Sequence, residues 1–272
     1  MVLILANLVV SYKGFKDKSF FDGHKFQVDK ILIDKDYKRL VTSGFLHANW
    51  SHLIFNMISL YLFSSLLEQK VGVFYFMLIY FTSLVGGNLL ALFVHKEHGD
   101  YAAIGASGAV CGIIFASIAL FPKMGMGFIM LPISIPSWIY GLLYVGYSIY
   151  GIKSQKGNIG HEAHLGGALI GMLIAIVLHP NAMVENYITI SIITIPTLIF
   201  IYLIVMKPHI LLVDSYNFKN RKPALDMDHE YNENKVNQQK ELDKLLDKIS
   251  RKGIDGLSKK ERQRLDRYSK DK

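Results

Sequence analysis

Seven apolar stretches crowd the first 206 residues of this chain, and they constrain it more than any other feature. A helix that crosses the hydrocarbon of a bilayer needs roughly 20 mostly apolar residues. The first stretch, MVLILANLVVSY at 1–12, falls short unless it continues through Lys13 to Phe21. No charged segment precedes it and no small-residue cleavage site is obvious, which argues against a signal peptide. A start site lost upstream would also explain its length. The others lie at 52–67, 71–94, 107–121, 133–150, 162–178 and 187–206. Pro132 and Pro136 open the fifth of the seven, Pro180 stops the sixth, and Pro196 predicts a kink in the last.

The chain therefore reads as all-α: a polytopic membrane helix bundle with a soluble tail. Its 51% hydrophobic content and mean hydropathy of +0.27 are high for a soluble domain of 272 residues. The formal net charge of +8 suits anionic lipid headgroups. No nucleic-acid partner is expected, because the basic residues form no stripe interleaved with aromatics. One cysteine, Cys111, permits no disulfide within the chain and leaves the redox compartment open.

The chain divides into three regions: a membrane domain at 1–206, a linker at 207–235 and a small soluble helical hairpin at 236–272. Within the first, residues 13–50 are too apolar for a linker and too charged to span, which predicts a partly folded loop at the membrane surface. In the tail, Leu242, Leu245, Leu246 and Ile249 recur at helical spacing. Gly253 fits a helix C-terminus, and Ser258 with Glu261 forms a capping box for a second helix carrying Leu265 and Tyr268. A solvated, frayed helix pair fits the same pattern.

Polar groups inside hydrocarbon are costly, and those that persist often mark function. Three clusters qualify. GASGAVCG (105–112) holds Ser107 between Gly105 and Gly108. On these residues alone, close helix packing is the better explanation. The same pattern also suits a nucleophile at a helix start, with room for a carbonyl and free N–H groups to receive an oxyanion. His164 precedes Gly166, Gly167 and Gly171, a small-residue face that lets one helix press on another. A neutral imidazole there is either a structural donor or a base for a serine hydroxyl. His52 and Asn56, at i and i+4, point the same way. They serve as oxyanion donors or as interhelical hydrogen bonds.

A metal site is the competing use of these histidines. HEAH (161–164) misses the H-E-x-x-H spacing by one residue, and a third ligand would have to come from His52 or His47. No metal and no cofactor is expected.

Taken together, KRLVTSGFLHANWSHLIFNM (38–57), GASGAVCG (105–112) and EAHLGGALIG (162–171) resemble the rhomboid intramembrane serine proteases. The likeness covers nearly all of 1–206, in the family's order and spacing. It implies a six-plus-one helix bundle with Ser107 as nucleophile, His164 as general base and no aspartate. Glu162 is the one carboxylate near that histidine in sequence. It further implies oxyanion donors at Asn56, His52 and the Ser107 backbone N–H, and a stiffening loop that includes His47 and Arg39. The implied partners are the lipid bilayer and single-pass membrane proteins whose helices unwind at the cut, and the implied location is a bacterial cytoplasmic membrane. The tail looks like a short C-terminal module of some bacterial members. Family members often place an aromatic ring on the base from four residues after the serine. That position is Cys111 here, so the histidine is held by another ring or held less firmly. Counting basic residues puts 13–39 in the cytoplasm, whereas the resemblance puts it on the opposite side, and the resemblance is followed.

Two other classes fit less well. An inactive relative that binds membrane helices would typically lack the serine or the histidine, and both are present. A transporter would show internal repeats or mid-membrane carboxylates, and neither is evident.

Overall fold

The structure is a computed structural model that describes residues 1–128, 131–154 and 160–206, with Lys248 and Ser258. Contacts divide the chain into two units, Met1–Val213 and Asp214–Lys272. The expected linker and tail hairpin lie outside the described residues, apart from Lys248, which is helical, and Ser258.

The helices of the first unit are α1 (Val2–Lys16), α2 (Lys18–His24), α3 (Val28–Leu32), α4 (Arg39–Thr42), α5 (Trp50–Val94), α6 (Ser107–Leu120), α7 (Ser137–Ser154), α8 (His161–Leu178), α9 (Asn181–Glu185) and α10 (Tyr187–Met206). Two short antiparallel pairs join β1 (Phe26–Gln27) to β2 (Ala102–Ala103), and β3 (Gly125–Phe128) to β4 (Leu131–Pro136). Among the described helices α5, α8 and α10 are long and apolar enough to cross a membrane. Large apolar side chains lie exposed on α5, α7 and α10, among them Phe55, Phe74, Leu143, Ile195 and Tyr202. Such a surface is stable only against lipid or a partner.

Several expectations change. The first stretch does not run on to Phe21. α1 stops at Lys16 because Asp17 caps a new helix, its carboxylate accepting the Phe20 N–H at 2.9 Å. Fifteen residues rise only about 22 Å, less than the roughly 30 Å of a hydrocarbon core. The stretches at 52–67 and 71–94 do form helix, and α5 contains both. Gly72, with φ +81° and ψ 159°, breaks it into arms at 50–71 and 73–94, in a conformation that costs glycine little. Residues 133–136, expected in the fifth helix, belong to β4 instead. Pro132 and Pro136 lack donors and push the residue before them toward extended backbone, so α7 begins only at Ser137. The Ser137 hydroxyl then donates to the Phe121 carbonyl at 2.9 Å. The sixth and seventh stretches match α8 and α10 closely, with Pro196 inside α10 and the unforeseen short α9 between them.

Residues 17–49 are more ordered than a partly folded loop. Phe26, Val28 and Ile31 are fully buried and pack with Ala91 and Ala163, at the end of α5 and the start of α8. Arg39 ties the segment together. Its guanidinium donates to the Asp22 and Lys25 carbonyls at 2.9 and 2.7 Å, and to the Asp36 carboxylate at 2.9 Å. A planar fork suits three acceptors in fixed directions better than an ammonium does.

At the centre, the second arm of α5 meets α6 and α8 through small residues spaced four apart. Gly87 faces the Ala163 carbonyl, Gly112 faces Ser83, Gly167 faces the Gly108 carbonyl and Gly171 faces the Gly112 carbonyl. Four-residue spacing puts these positions on one face of each helix. Without side chains between them the backbones approach closely, which is how helices associate where the hydrophobic effect offers no drive.

Candidate active site

The contact between Gly108 and the α8 backbone decides where the polar groups fall. A Cβ on Gly108 would sit 3.3 Å from the Ala163 carbonyl oxygen, so Ser107 and His164 occupy adjacent positions on touching helices. Their side chains meet: His164 Nε2 lies 2.6 Å from Ser107 Oγ. Ser107 is the first residue of α6, and the first hydrogen bond of that helix runs from the Val110 N–H to the Ala106 carbonyl at 2.9 Å. The N–H groups of Ser107, Gly108 and Ala109 precede it and have no partner within the helix. With 14 residues α6 rises about 21 Å, less than the roughly 30 Å of a hydrocarbon core, and at its start Ala106 and Gly108 are buried.

Gly105 makes the turn into this helix, and its φ of +121° is a conformation that side-chain-bearing residues avoid. A Cβ here would meet His52 Nε2 at 2.9 Å and Ser107 Oγ at 3.6 Å. The glycine thus leaves a space bordered by both. Asn49 caps α5, accepting the His52 N–H at 2.9 Å, and so fixes His52 on its first turn. His52 Nδ1 accepts the Ala48 N–H at 3.4 Å, which leaves Nε2 as the protonated, donating nitrogen facing that space. Asn56, one turn on, is buried and donates from Nδ2 to the His52 carbonyl at 3.0 Å.

His47 supports the turn from the other side. The Ser11 hydroxyl donates to the Phe45 carbonyl at 2.8 Å and, having one proton, accepts from His47 Nδ1 at 2.8 Å. His47 Nε2 is then an acceptor and lies 3.5 Å from the Ala106 N–H. The Gly105 N–H donates to the Ser43 carbonyl at 3.0 Å, and Asn88 donates to the Leu40 carbonyl and the Ser43 hydroxyl at 2.8 and 3.2 Å. Burial above all, helped by the neighbouring His52, drops the His47 pKa from 6.5 to about 3, so its imidazole is neutral.

The candidate residues thus divide. Ser107, His164, His52, Gly105, Gly108 and His47 surround one turn. Asn56 lies one helical turn away, bonded to its own helix. Arg39 anchors the segment at 22–39. Glu162 lies 3.5 Å from His95. The ring of His161 packs edge-on to Tyr147, and among the described residues no three metal-ligating side chains converge. Ser11, Asn88 and Tyr144 carry no sequence signal that marks them for the site. Tyr144 lies on α7, and its hydroxyl is 2.9 Å from His164 Nδ1 and 3.0 Å from Cys111 Sγ. What the structure brings to His164 is this hydroxyl and not a stacked ring, since the Tyr144 and His164 ring centroids are 6.3 Å apart and tilted by 34°.

A polytopic membrane helix bundle with a half-buried serine–histidine contact is the class that fold and site define. The rhomboid domain family matches residues 34–181, more than half of the chain, and this chain is a member of the rhomboid family. Residues 225–271 match a second family, described as a family of unknown function (DUF6576). RHOMBOID-like protein 12, mitochondrial, of Arabidopsis thaliana is 26% identical over 64% of this chain and 55% of its own. Rhomboid protein 1, mitochondrial, of Saccharomyces cerevisiae is 29% identical over 55% and 45%. Rhomboid protease AarA of Providencia stuartii is 26% identical over 65% and 70%. The chain spans about half the length of the first two. It is an integral membrane protein. The expected bacterial cytoplasmic membrane is not borne out, since relatives from Arabidopsis and yeast are mitochondrial or chloroplastic by name.

Proposed function

We propose that this chain is an intramembrane serine endopeptidase that cuts membrane segments of single-pass proteins with a Ser107–His164 dyad. The observation that carries this is the 2.6 Å contact between Ser107 Oγ and His164 Nε2, made by side chains from different helices. Relatives named as proteases support it.

The chemistry follows from the geometry. The imidazole takes the hydroxyl proton at Nε2 while Oγ bonds to the substrate carbonyl carbon. The carbonyl electron pair moves onto oxygen. That oxyanion settles over Gly105, beside His52 Nε2–H, where the free N–H of Ser107 at the helix start and the Asn56 amide, turned from its own helix, complete the donors. The imidazolium then protonates the leaving amine, and water repeats the sequence on the acyl-enzyme. None of these donors carries a fixed charge, which suits a site within hydrocarbon.

A fluorescent fluorophosphonate tests this on the purified protein in detergent. Wild-type protein is expected to label. Ser107→Ala is expected to abolish labelling, and Asn56→Ala to slow it on the order of a hundredfold with little change in melting temperature. Equal labelling of wild type and Ser107→Ala would remove the protease assignment.

A further inference from the structure

The base at this site has two nitrogens, and the dyad accounts for one. The other, His164 Nδ1, faces no carboxylate among the described residues. Glu162, on the same first turn of α8, has its carboxylate 3.5 Å from His95 Nε2 at the end of α5. The nearby His161 ring is edge-on to His164, with centroids 5.9 Å apart. What faces Nδ1 is the Tyr144 hydroxyl at 2.9 Å, and behind it the Cys111 sulfur at 3.0 Å.

Tyr144 is itself held in place. Its ring stacks on Tyr140 with centroids 6.1 Å apart and meets the edge of Phe115 at 5.9 Å, so the hydroxyl is aimed by packing. Cys111 lies one turn after Ser107 on α6, on the same helix face. It is small, and the tip of Tyr144 reaches into the space that a larger side chain there would fill.

The proton inventory gives this chain of groups a direction. When His164 Nε2 takes the Ser107 proton, both ring nitrogens bear hydrogen. Nδ1–H must donate, and the acceptor it faces is Tyr144 Oη. Tyr144 keeps its own proton and donates it to Cys111 Sγ, which accepts weakly. No proton leaves the chain and no charge beyond the imidazolium forms. In the reverse arrangement Tyr144 donates to Nδ1 and Nε2 already bears the hydrogen, so the base cannot accept from Ser107. The sulfur therefore favours the productive arrangement by offering Tyr144 another acceptor.

We infer that Tyr144 is the positioning residue of the catalytic base: its hydroxyl, backed by Cys111, orients His164 and receives the Nδ1–H bond as the imidazolium forms. This rests on the serine-protease assignment and fills the place of a carboxylate with a neutral group. A buried carboxylate costs more to desolvate than a phenol, so a neutral acceptor is the cheaper choice deep in a bundle.

The test is the second-order rate of fluorophosphonate reaction with the full-length protein in detergent. Tyr144→Phe keeps the ring and removes the hydroxyl. It is expected to slow the reaction about tenfold or more, the size of a lost hydrogen bond to a charged group. In the His164→Ala background the same substitution is expected to change nothing, because its partner is gone. Cys111→Ala is expected to slow the reaction about threefold, and Cys111→Ser to restore it. A Tyr144→Phe rate within twofold of wild type overturns the inference while leaving the protease assignment intact. So does an equal loss in both backgrounds, which marks a purely structural role. If Tyr144→Phe fails to fold, the Cys111 pair decides, and equal rates for Ala and Ser overturn the inference. A wild type that does not label, with native melting behaviour, overturns the protease assignment and this inference with it.

Discussion

Two helices bring groups to His164 in opposite ways. α6 comes by backbone: Gly108 and Gly112 let it lie against α8 with nothing between them, and Ser107 arrives as a consequence. α7 comes by side-chain tips: Tyr144 reaches the imidazole, while Gly146 has no heavy atom within 4 Å of where its Cβ would stand, and Leu143, Tyr147 and Tyr150 are exposed. The Ser107–His164 distance is thus set by the least adjustable part of the molecule. The orientation of His164 depends instead on side-chain contacts, since the close approaches of α7 at Gly141 and Gly151 are to the Ile118 and His161 side chains and not to backbone. Catalytic groups need placement within a fraction of an ångström, and a backbone contact provides it more dependably than a side chain spanning a gap.

The contrast breaks most visibly at the glycines. Gly167→Ala drives a methyl group into the Gly108 carbonyl and is expected to cost about 3 kcal/mol or more, with loss of fluorophosphonate labelling. Thermal unfolding in detergent measures it. A stability near wild type would mean that the backbones do not touch.

The His47 contact with the turn into α6 gives a pH-dependent effect. Its imidazole is neutral when folded, with a pKa of about 3 against 6.5 unfolded. Protonation favours the unfolded chain, so this contribution is complete above pH 6.5 and declines as the pH falls toward 3. Between pH 6.5 and 5 the expected loss is about 2 kcal/mol. Melting curves across that range check it, and His47→Gln, which keeps polarity without titrating, is expected to flatten them.

The smallest effect sharpens the comparison from the α7 side. Gly146→Ala enters open space on a helix and is expected to change stability by less than about 1 kcal/mol, in the stabilising direction. A cost as large as that of Gly167→Ala would show this face of α7 to be packed as tightly as the α6–α8 contact.

The bundle and a close contact of the His164 helix are readable from the residues themselves, whereas the pairing of Ser107 with His164 comes from the resemblance, since GASG alone reads as helix packing. Apolar length and small residues four apart are local signals with one dominant physical outcome in a membrane. Gly167 and Gly171 point to a close helix contact, and the helix across it carries Ser107. The loop at 13–50 and the fifth stretch depart from expectation because their outcomes are set at long range. Phe26, Val28 and Ile31 find their cover from Ala91 and Ala163, far along the chain. Residues 133–136 pair with β3, so their apolar character does not make them helix. Tyr144 has no readable signal, since a tyrosine on an apolar helix ordinarily anchors at an interface or packs in the core. Cys111 carries half of it: the absence of a ring at that place leaves His164 either held by another ring or held less firmly.

Hydrolysis at this site requires Ser107 to be the nucleophile that His164 activates. The most direct measurement is peptide mapping by mass spectrometry after fluorophosphonate treatment of the folded protein in lipid nanodiscs. One adduct per chain, on Ser107, formed far more slowly in His164→Ala, is the predicted result. An adduct on another residue, or unmodified Ser107 in a protein that melts cooperatively, would contradict it.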